Sequence, residues 1–158
     1  MKPRLYLETS IISYLAALPS RDLIAAAHQQ ITHEWWNEWR YRYELFVSEL
    51  VIQEIEMGNQ DAAQRRLSLV ASIPVLRLDD ATILLAEKLH SLLNLPKKAK
   101  ADGFHIALAA SYGMDFLLTW NCRHIANGKT RRAIDDVLRT HMMIPPIIVT
   151  PEELPEER

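Results

Sequence analysis

Leu5-Tyr6-Leu7-Glu8-Thr9-Ser10 is the stretch that decides how this chain is read. With Arg4 it predicts a strand over 4–7 whose apolar residues run on rather than alternate, as in a parallel strand buried on both faces. Thr9 and Ser10 are suited to capping a helix that runs to about Leu18, where Pro19-Ser20 breaks it. Glu8 therefore stands at the carboxyl end of a strand, where open α/β sheets place their ligand crevices. Two more acids occupy comparable strand-to-helix positions. Glu54 lies in Ser48-Glu49-Leu50-Val51-Ile52-Gln53-Glu54-Ile55-Glu56-Met57-Gly58, and Asp102 opens Asp102-Gly103-Phe104-His105-Ile106-Ala107-Leu108-Ala109-Ala110. Each has an ordinary reading as a helix-start residue favoured by capping and the macrodipole. Gathered at one crevice, however, carboxylates repel one another unless a cation lies among them. Mg²⁺ or Mn²⁺ with oxygen ligands is the natural occupant, and that chemistry points to phosphodiester hydrolysis.

Outward from this stretch, short apolar strands alternate with longer helices. A long helix is predicted over about 21–40, a strand over 45–47, and a helix from a Ser48 cap to near Gly58. Further helices are predicted over 61–71 and 80–93, the latter capped by Asp79 or Asp80, with a strand over 74–78 between them. The basic loop Pro96-Lys97-Lys98-Ala99-Lys100 delivers Asp102 to a helix ending at Gly113. A strand over 116–119, a helix over about 127–140 and a strand over 147–150 complete the pattern. Alternating βα units predict a mainly parallel sheet covered by helices on both faces. The tail over 151–158, rich in Pro and Glu, is expected to be flexible and loosely held, leaving 1–150 as a single domain.

Composition sets the outer limits. The chain has 158 residues, long enough for one domain with a real core, and its 49% apolar and 24% charged content is that of a globular protein. No apolar run approaches the ~20 residues needed to span a bilayer, and Met1-Lys2-Pro3-Arg4 leads straight into a strand. Cys122 is the one cysteine, which excludes an internal disulfide and a cysteine-based zinc site. A cytoplasmic protein is the resulting expectation. A net charge of −2 argues against a strong general affinity for nucleic acid while leaving room for a local basic rim.

Four segments resemble the PIN-domain ribonucleases, most closely the VapC-type toxins of toxin–antitoxin pairs. Leu7-Glu8-Thr9-Ser10-Ile11-Ile12 is similar to the family's opening strand-end motif, usually Asp-Thr/Ser-Ser. Ser48 with Glu54 and Gly58 resembles the second acidic motif, and Asp102-Gly103-Phe104-His105-Ile106-Ala107 the third. Leu117-Leu118-Thr119-Trp120-Asn121 resembles the fourth, in which a Thr closes a strand before polar metal-site residues. The resemblance spans strand one to strand five. It implies a three-layer α/β/α fold with a mainly parallel five-stranded sheet in the order 3-2-1-4-5, and hydrolysis of RNA phosphodiester bonds with Mg²⁺ or Mn²⁺. On that reading Glu8, Glu54 and Asp102 hold the metal, and Asn121 ligates it or orients its water through a carbonyl oxygen. Thr9 and Ser10 position a phosphate, and Thr119 bonds a carboxylate. Implied partners are RNA, a small antitoxin protein and a second copy of the chain.

Two positions depart from the family pattern. Glu8 stands where Asp is usual, moving the carboxylate about 1.5 Å outward, and Asn121 stands where many relatives carry an acid, with His124 nearby. A catalytically weak or silent module that binds RNA or a protein is the alternative these departures motivate. A receiver-type or nucleotide-binding domain lacks support, since Glu-Thr-Ser stands where a Gly-rich loop would follow strand one.

Other features read as structural. Glu56 is about 200° around a helix from Glu54 and should point away, while Glu49 serves its helix dipole. Ile31, Trp35 and Trp39 share one face of the long helix at i,i+4 spacing, beside Trp36. Core or interface burial is the expectation for this stripe, with at least one tryptophan partly exposed in the monomer and covered in a dimer. Lys97, Lys98, Lys100, Lys129, Arg131 and Arg132 flank the proposed site as solvated charge with an open phosphate-contacting role. His105 is expected to be packed or hydrogen-bonded, and Cys122 to be a buried inert thiol.

Overall fold

A computed structural model describes residues 1–154 of the chain. Its first strand, β1 (Arg4–Leu7), carries Leu5, Tyr6 and Leu7 in succession with no solvent exposure, so both faces of the sheet are covered there. That is the physical meaning of its unbroken apolar run. Around it run α1 (Thr9–Ala16), α2 (Leu23–Glu34), β2 (Glu44–Ser48), α3 (Glu49–Ile55), α4 (Gln60–Val70) and β3 (Val75–Leu76). They are followed by α5 (Asp80–Leu92), α6 (Lys100–Ser111), β4 (Phe116–Leu118), α7 (Gly128–Thr140) and β5 (Ile147–Val149). All five strands pair in parallel, in the order β3-β2-β1-β4-β5, within a three-layer α/β/α arrangement. The expected fold class and strand order are both observed.

The order has one functional consequence. After β1 the chain moves to one side of the sheet through β2 and β3, and then returns to the other side of β1 as β4. Connections leaving the carboxyl ends of β1 and β4 thus diverge and open a crevice between them. Buried Leu117 and Leu118 pair with Tyr6 and Leu7 across this junction, and Ile106, Leu108, Ile11 and Ile12 close over it. Each such side chain contributes about 1.5–3 kcal/mol when fully buried.

Helix starts follow local chemistry. Asp22, Ser48, Asn59, Asp79 and Asn127 each accept a backbone N–H at the start of a helix. α1 differs from expectation, because its cap is Glu8 rather than Thr9 or Ser10: the Glu8 carboxylate accepts from Ser10 N. α6 begins at Lys100, so Asp102 lies inside its first turn, where a negative charge meets the positive helix end. Gly103 lets this turn press on α5, since a Cβ there would lie 3.2 Å from the Ala86 carbonyl oxygen.

Three expectations are corrected. The long helix predicted over 21–40 ends at Glu34, after which Trp35–Trp39 form a π-helical turn and Arg40–Arg42 a 3₁₀ turn. Ile31, Trp35 and Trp39 still line one pocket, so the shared face survives the wider turn. Trp35 is buried, while Trp36 and Trp39 are half-buried, and the guanidinium groups of Arg40 and Arg42 lie 4.8 and 4.3 Å from their ring centres. Cys122 is exposed, not buried, because it lies in the turn after β4. The tail is seated over its described part. Pro151 and Leu154 are buried, and Glu153 accepts from Thr150 N and from Arg131; residues 155–158 lie outside the described residues.

These positions predict unequal roles for the tryptophans. Trp35→Ala removes a 3%-exposed ring and is expected to cost about 3–5 kcal/mol in urea denaturation. Trp39→Ala, whose ring keeps one side toward solvent, is expected to cost roughly 1–2 kcal/mol. A larger loss at Trp39 than at Trp35 would contradict this assignment.

Candidate active site

Glu8 leaves β1 and turns back over the start of α1. Its Oε2 accepts from Ser10 N at 3.0 Å, and its Oε1 accepts from both the Ser10 and Thr119 hydroxyls at 2.5 Å. Both hydroxyls continue the link. Ser10 Oγ accepts from Trp120 N at 2.8 Å, and Thr119 Oγ1 accepts from Asn121 N at 2.9 Å. The backbone joins in, with Glu8 N donating to the Leu118 carbonyl at 3.0 Å. A carboxylate only 6% exposed is tolerable because these donors replace lost water. The result is a knot fastening the end of β1, the start of α1 and the exit of β4.

Glu54 projects from α3. Its Oε1 accepts from the Thr9 hydroxyl at 2.7 Å and lies 2.6 Å from His105 Nε2. Behind it runs a fully interior chain: His105 Nδ1 to Tyr6 Oη at 2.6 Å, and Tyr6 Oη to Ser48 Oγ at 2.9 Å, while Ser48 Oγ accepts from Val51 N at 3.1 Å. Hydrogen-bond valence orders the protons. An ionised carboxylate only accepts, so Nε2 carries a proton toward Glu54. In the neutral imidazole Nδ1 then accepts from Tyr6, which accepts from Ser48, and every member is satisfied. Burial works against charging His105, yet its bond to Glu54 and the nearby acids outweigh that and raise its pKa. Burial likewise opposes the charged form of Glu54, but the His105 and Thr9 bonds hold its carboxyl below the usual range. Burial also pushes the Tyr6 phenol well above its ordinary value.

Asp102 faces them from α6. Its Oδ1 accepts from Asn121 Nδ2 at 2.9 Å, and its Oδ2 lies 2.9 Å from His124 Nδ1. The Asp102 pKa is raised. The main cause is burial, with the charge of Glu8 a lesser contribution, so mutual repulsion is not the leading reason. Asn121 donates its amide to Asp102, and its carbonyl oxygen accepts from His124 N at 3.0 Å, which uses one of that oxygen's two lone pairs. Asn121→Asp would add an anion only by removing a donor from Asp102.

One cleft of about 730 Å³ unites the three acids, lined by Glu8, Glu54, Asp102, Asn121, Thr9 and Ser10 at one end and by Tyr14, Ala17, Leu18, Ala25 and Gln29 at the other. Thr119 lies behind Glu8 and is fully buried. Thr9 and Ser10 hold Glu54 and Glu8, and the Ser10 N–H is used by Glu8. The α1 start is therefore filled by a carboxylate. None of the basic residues flanking the site lines the cleft. Glu49 instead ties Leu78 N at 2.7 Å, and Glu56 is exposed.

The donor set suits a hard divalent cation. Three carboxylates share a cleft, no lysine or arginine among the described residues pairs with them, and no described hydrogen bond engages Glu54 Oε2. Among the described residues no three His, Cys, Asp or Glu side chains are gathered as a finished ligand set. Each acid is turned to its own hydrogen-bond partners, and a cation would compete with those partners.

The PIN domain family model matches residues 5–129, well over half of the chain and the whole span from β1 to the start of α7. The chain belongs to the PIN domain family. Solved structures with this PIN fold include VapBC2 from Rickettsia felis, determined bound to a DNA fragment from its promoter. It shares 13% identity and a TM-score of 0.60, over 92% of this chain and 97% of that one. Another is VapC20 of Mycobacterium tuberculosis, a toxin that cleaves the sarcin-ricin loop, with 15% identity and a TM-score of 0.51 over 72% of this chain and 86% of that one. No curated protein sequence matches the chain.

His105, His124, Tyr6 and Ser48 are the residues of the site that sequence reasoning left in supporting or packing roles. The spacing held a signal for two of them. His105 follows Asp102 by three helical positions, and His124 follows Asn121 by three in a turn.

The knot gives a direct test. Thr119→Val keeps the shape but leaves Glu8 Oε1 and Asn121 N without their shared hydroxyl. A stability loss of about 1–3 kcal/mol is expected in thermal or urea unfolding. A variant as stable as the parent would show that the hydroxyl bridge contributes nothing.

Proposed function

We propose that this PIN-domain protein is a Mg²⁺- or Mn²⁺-dependent endoribonuclease of the VapC type, the toxin of a pair whose partner is a small antitoxin protein. The observation that carries the reading is the cleft with three carboxylates and no Lys or Arg counter-charge. Glu8, Glu54 and Asp102 would hold the cation, with Asn121 positioning Asp102. A divalent ion bound there supplies Lewis acidity, acidifying water and neutralising charge on a leaving 3′ oxygen.

The protein's own groups have definite tasks on this reading. Ser10 and Thr119 fix Glu8, and the longer Glu side chain folds back into their hydroxyls instead of reaching further into the cleft. Thr9 and His105 fix Glu54, and Asn121 and His124 fix Asp102. Such partners orient ligands for a metal much as direct ligands bind it.

Two relatives in fold support the partner and the substrate: one is a VapBC assembly and the other an RNA-cleaving toxin. Leu18, which lines the cleft, and Leu23 and Ile24 at the start of α2 are exposed apolar residues of the kind that an antitoxin segment or a second copy of the chain would cover. A catalytically silent RNA- or protein-binding module is the second reading, favoured by Glu8 at the usual Asp position and by His124 on Asp102.

Purified protein is expected to cleave RNA with Mg²⁺ or Mn²⁺ and to stop in EDTA. Loss of a residue that merely orients a ligand costs about 10–100-fold, so Asp102→Asn is expected to cost on the order of 100-fold or more. RNA binding without cleavage at any metal concentration would favour the silent module. Equal cleavage in EDTA would remove the metal mechanism.

A further inference from the structure

The part of the cleft lined by Ser13, Tyr14, Ala17, Leu18, Ser20, Ala25 and Gln29 takes no part in the chemistry above. Tyr14 lines it, four residues after Ser10 on α1 and so about one turn further along the same face. Its ring is braced by an aromatic pair. Trp120 and His28 stack with centres 4.0 Å apart and planes at 11°, and Tyr14 meets them edge-on at 6.2 Å and 71° and at 5.8 Å and 80°. The brace is itself fastened. Trp120 Nε1 donates to Thr32 Oγ1 at 2.7 Å, and Trp120 N donates to the Ser10 hydroxyl that holds Glu8. Gln29 locks the neighbouring corner, accepting from Ser20 N and donating to the Leu18 carbonyl, both at 2.9 Å. Tyr14 is therefore linked to Glu8 through Trp120 and the Ser10 hydroxyl.

A tyrosine that only filled the core would be buried with its hydroxyl paired. Tyr14 is half-buried, no described hydrogen bond engages its hydroxyl, and small Ala17 and Ala25 share its part of the wall. Edge-on bracing holds the ring in one orientation, and the small neighbours leave room for a flat group beside it.

We propose that Tyr14 is a stacking platform for one nucleobase of an RNA strand bound in the cleft. The inference deepens the ribonuclease reading and rests on it. Bases in an A-form duplex are stacked on their neighbours, and only a splayed base reaches such a ring. Aromatic stacking of one base is worth roughly 5- to 150-fold in affinity.

The test measures fluorescence anisotropy in EDTA, where cleavage is blocked. Probes are a labelled single-stranded RNA, an abasic strand of equal length, and a duplex. Wild type is expected to prefer the base-bearing single strand. Tyr14→Phe should retain that preference, and Tyr14→Leu should lose roughly 5- to 150-fold for the base-bearing strand and little for the abasic one. Equal loss on both strands, or no loss on the base-bearing strand, overturns the platform. If Tyr14→Leu does not fold, wild type alone decides, since equal affinity for base-bearing and abasic strands overturns it too. Wild-type cleavage with Mn²⁺ separates the failures. Cleavage without base preference sinks only the platform, whereas neither binding nor cleavage sinks both.

Discussion

The buried carboxylate of Glu8 is the constraint on which the site depends. Two hydroxyls and one backbone N–H converge on it, from Ser10 on α1 and from Thr119 after β4. A buried acid without such donors would cost several kcal/mol, so the bonds and the burial require each other. Their shared geometry ties the exits of β1 and β4 together at the base of the crevice where the strand order reverses direction. Cleft, cap and sheet junction are one object.

From that junction the other acids take their places. α3 sets Glu54 above a chain of interior hydroxyl and imidazole groups reaching through His105 and Tyr6 to Ser48. α6, pressed against α5 at Gly103, presents Asp102 to Asn121 and His124. Each acid thus has its own support, and none is neutralised by Lys or Arg among the described residues. Such a cleft holds negative potential in reserve for a cation. Low local dielectric strengthens the supports and, equally, makes any unpaired acid costly.

The sheet was legible because burial on both faces writes itself directly into the unbroken apolar run of β1. Of the three acids only Glu8 sits where a strand meets a helix; Glu54 stands near the far end of α3 and Asp102 in the first turn of α6, which follows another helix, so those two were legible through the family resemblance. The strand order came from family resemblance, since alternating βα units fit many topologies. What the sequence hid was mostly long-range or non-ideal. Thr119 meets Glu8 across 111 positions, and no local pattern announces it. The long helix was expected to run unbroken to about Arg40, and the π turn at Trp35–Trp39 interrupts it while leaving Ile31, Trp35 and Trp39 on one pocket. Asn121 offered both a donor and an acceptor, and only the placement of Asp102 and His124 N decides which faces which. Tail residues Pro151 and Leu154 are held by burial that their Pro- and Glu-rich neighbourhood conceals.

The central claim is that Glu8, Glu54 and Asp102 form one cation site. Anomalous diffraction from a crystal soaked in Mn²⁺ addresses it most directly. The account predicts a single strong peak in the cleft, at coordinating distance from carboxylate oxygens of Glu54 and Asp102 and on the Glu8 side of the pocket. Mn²⁺ bound only elsewhere, with the three acids still turned to their hydrogen-bond partners at saturating metal, would contradict it.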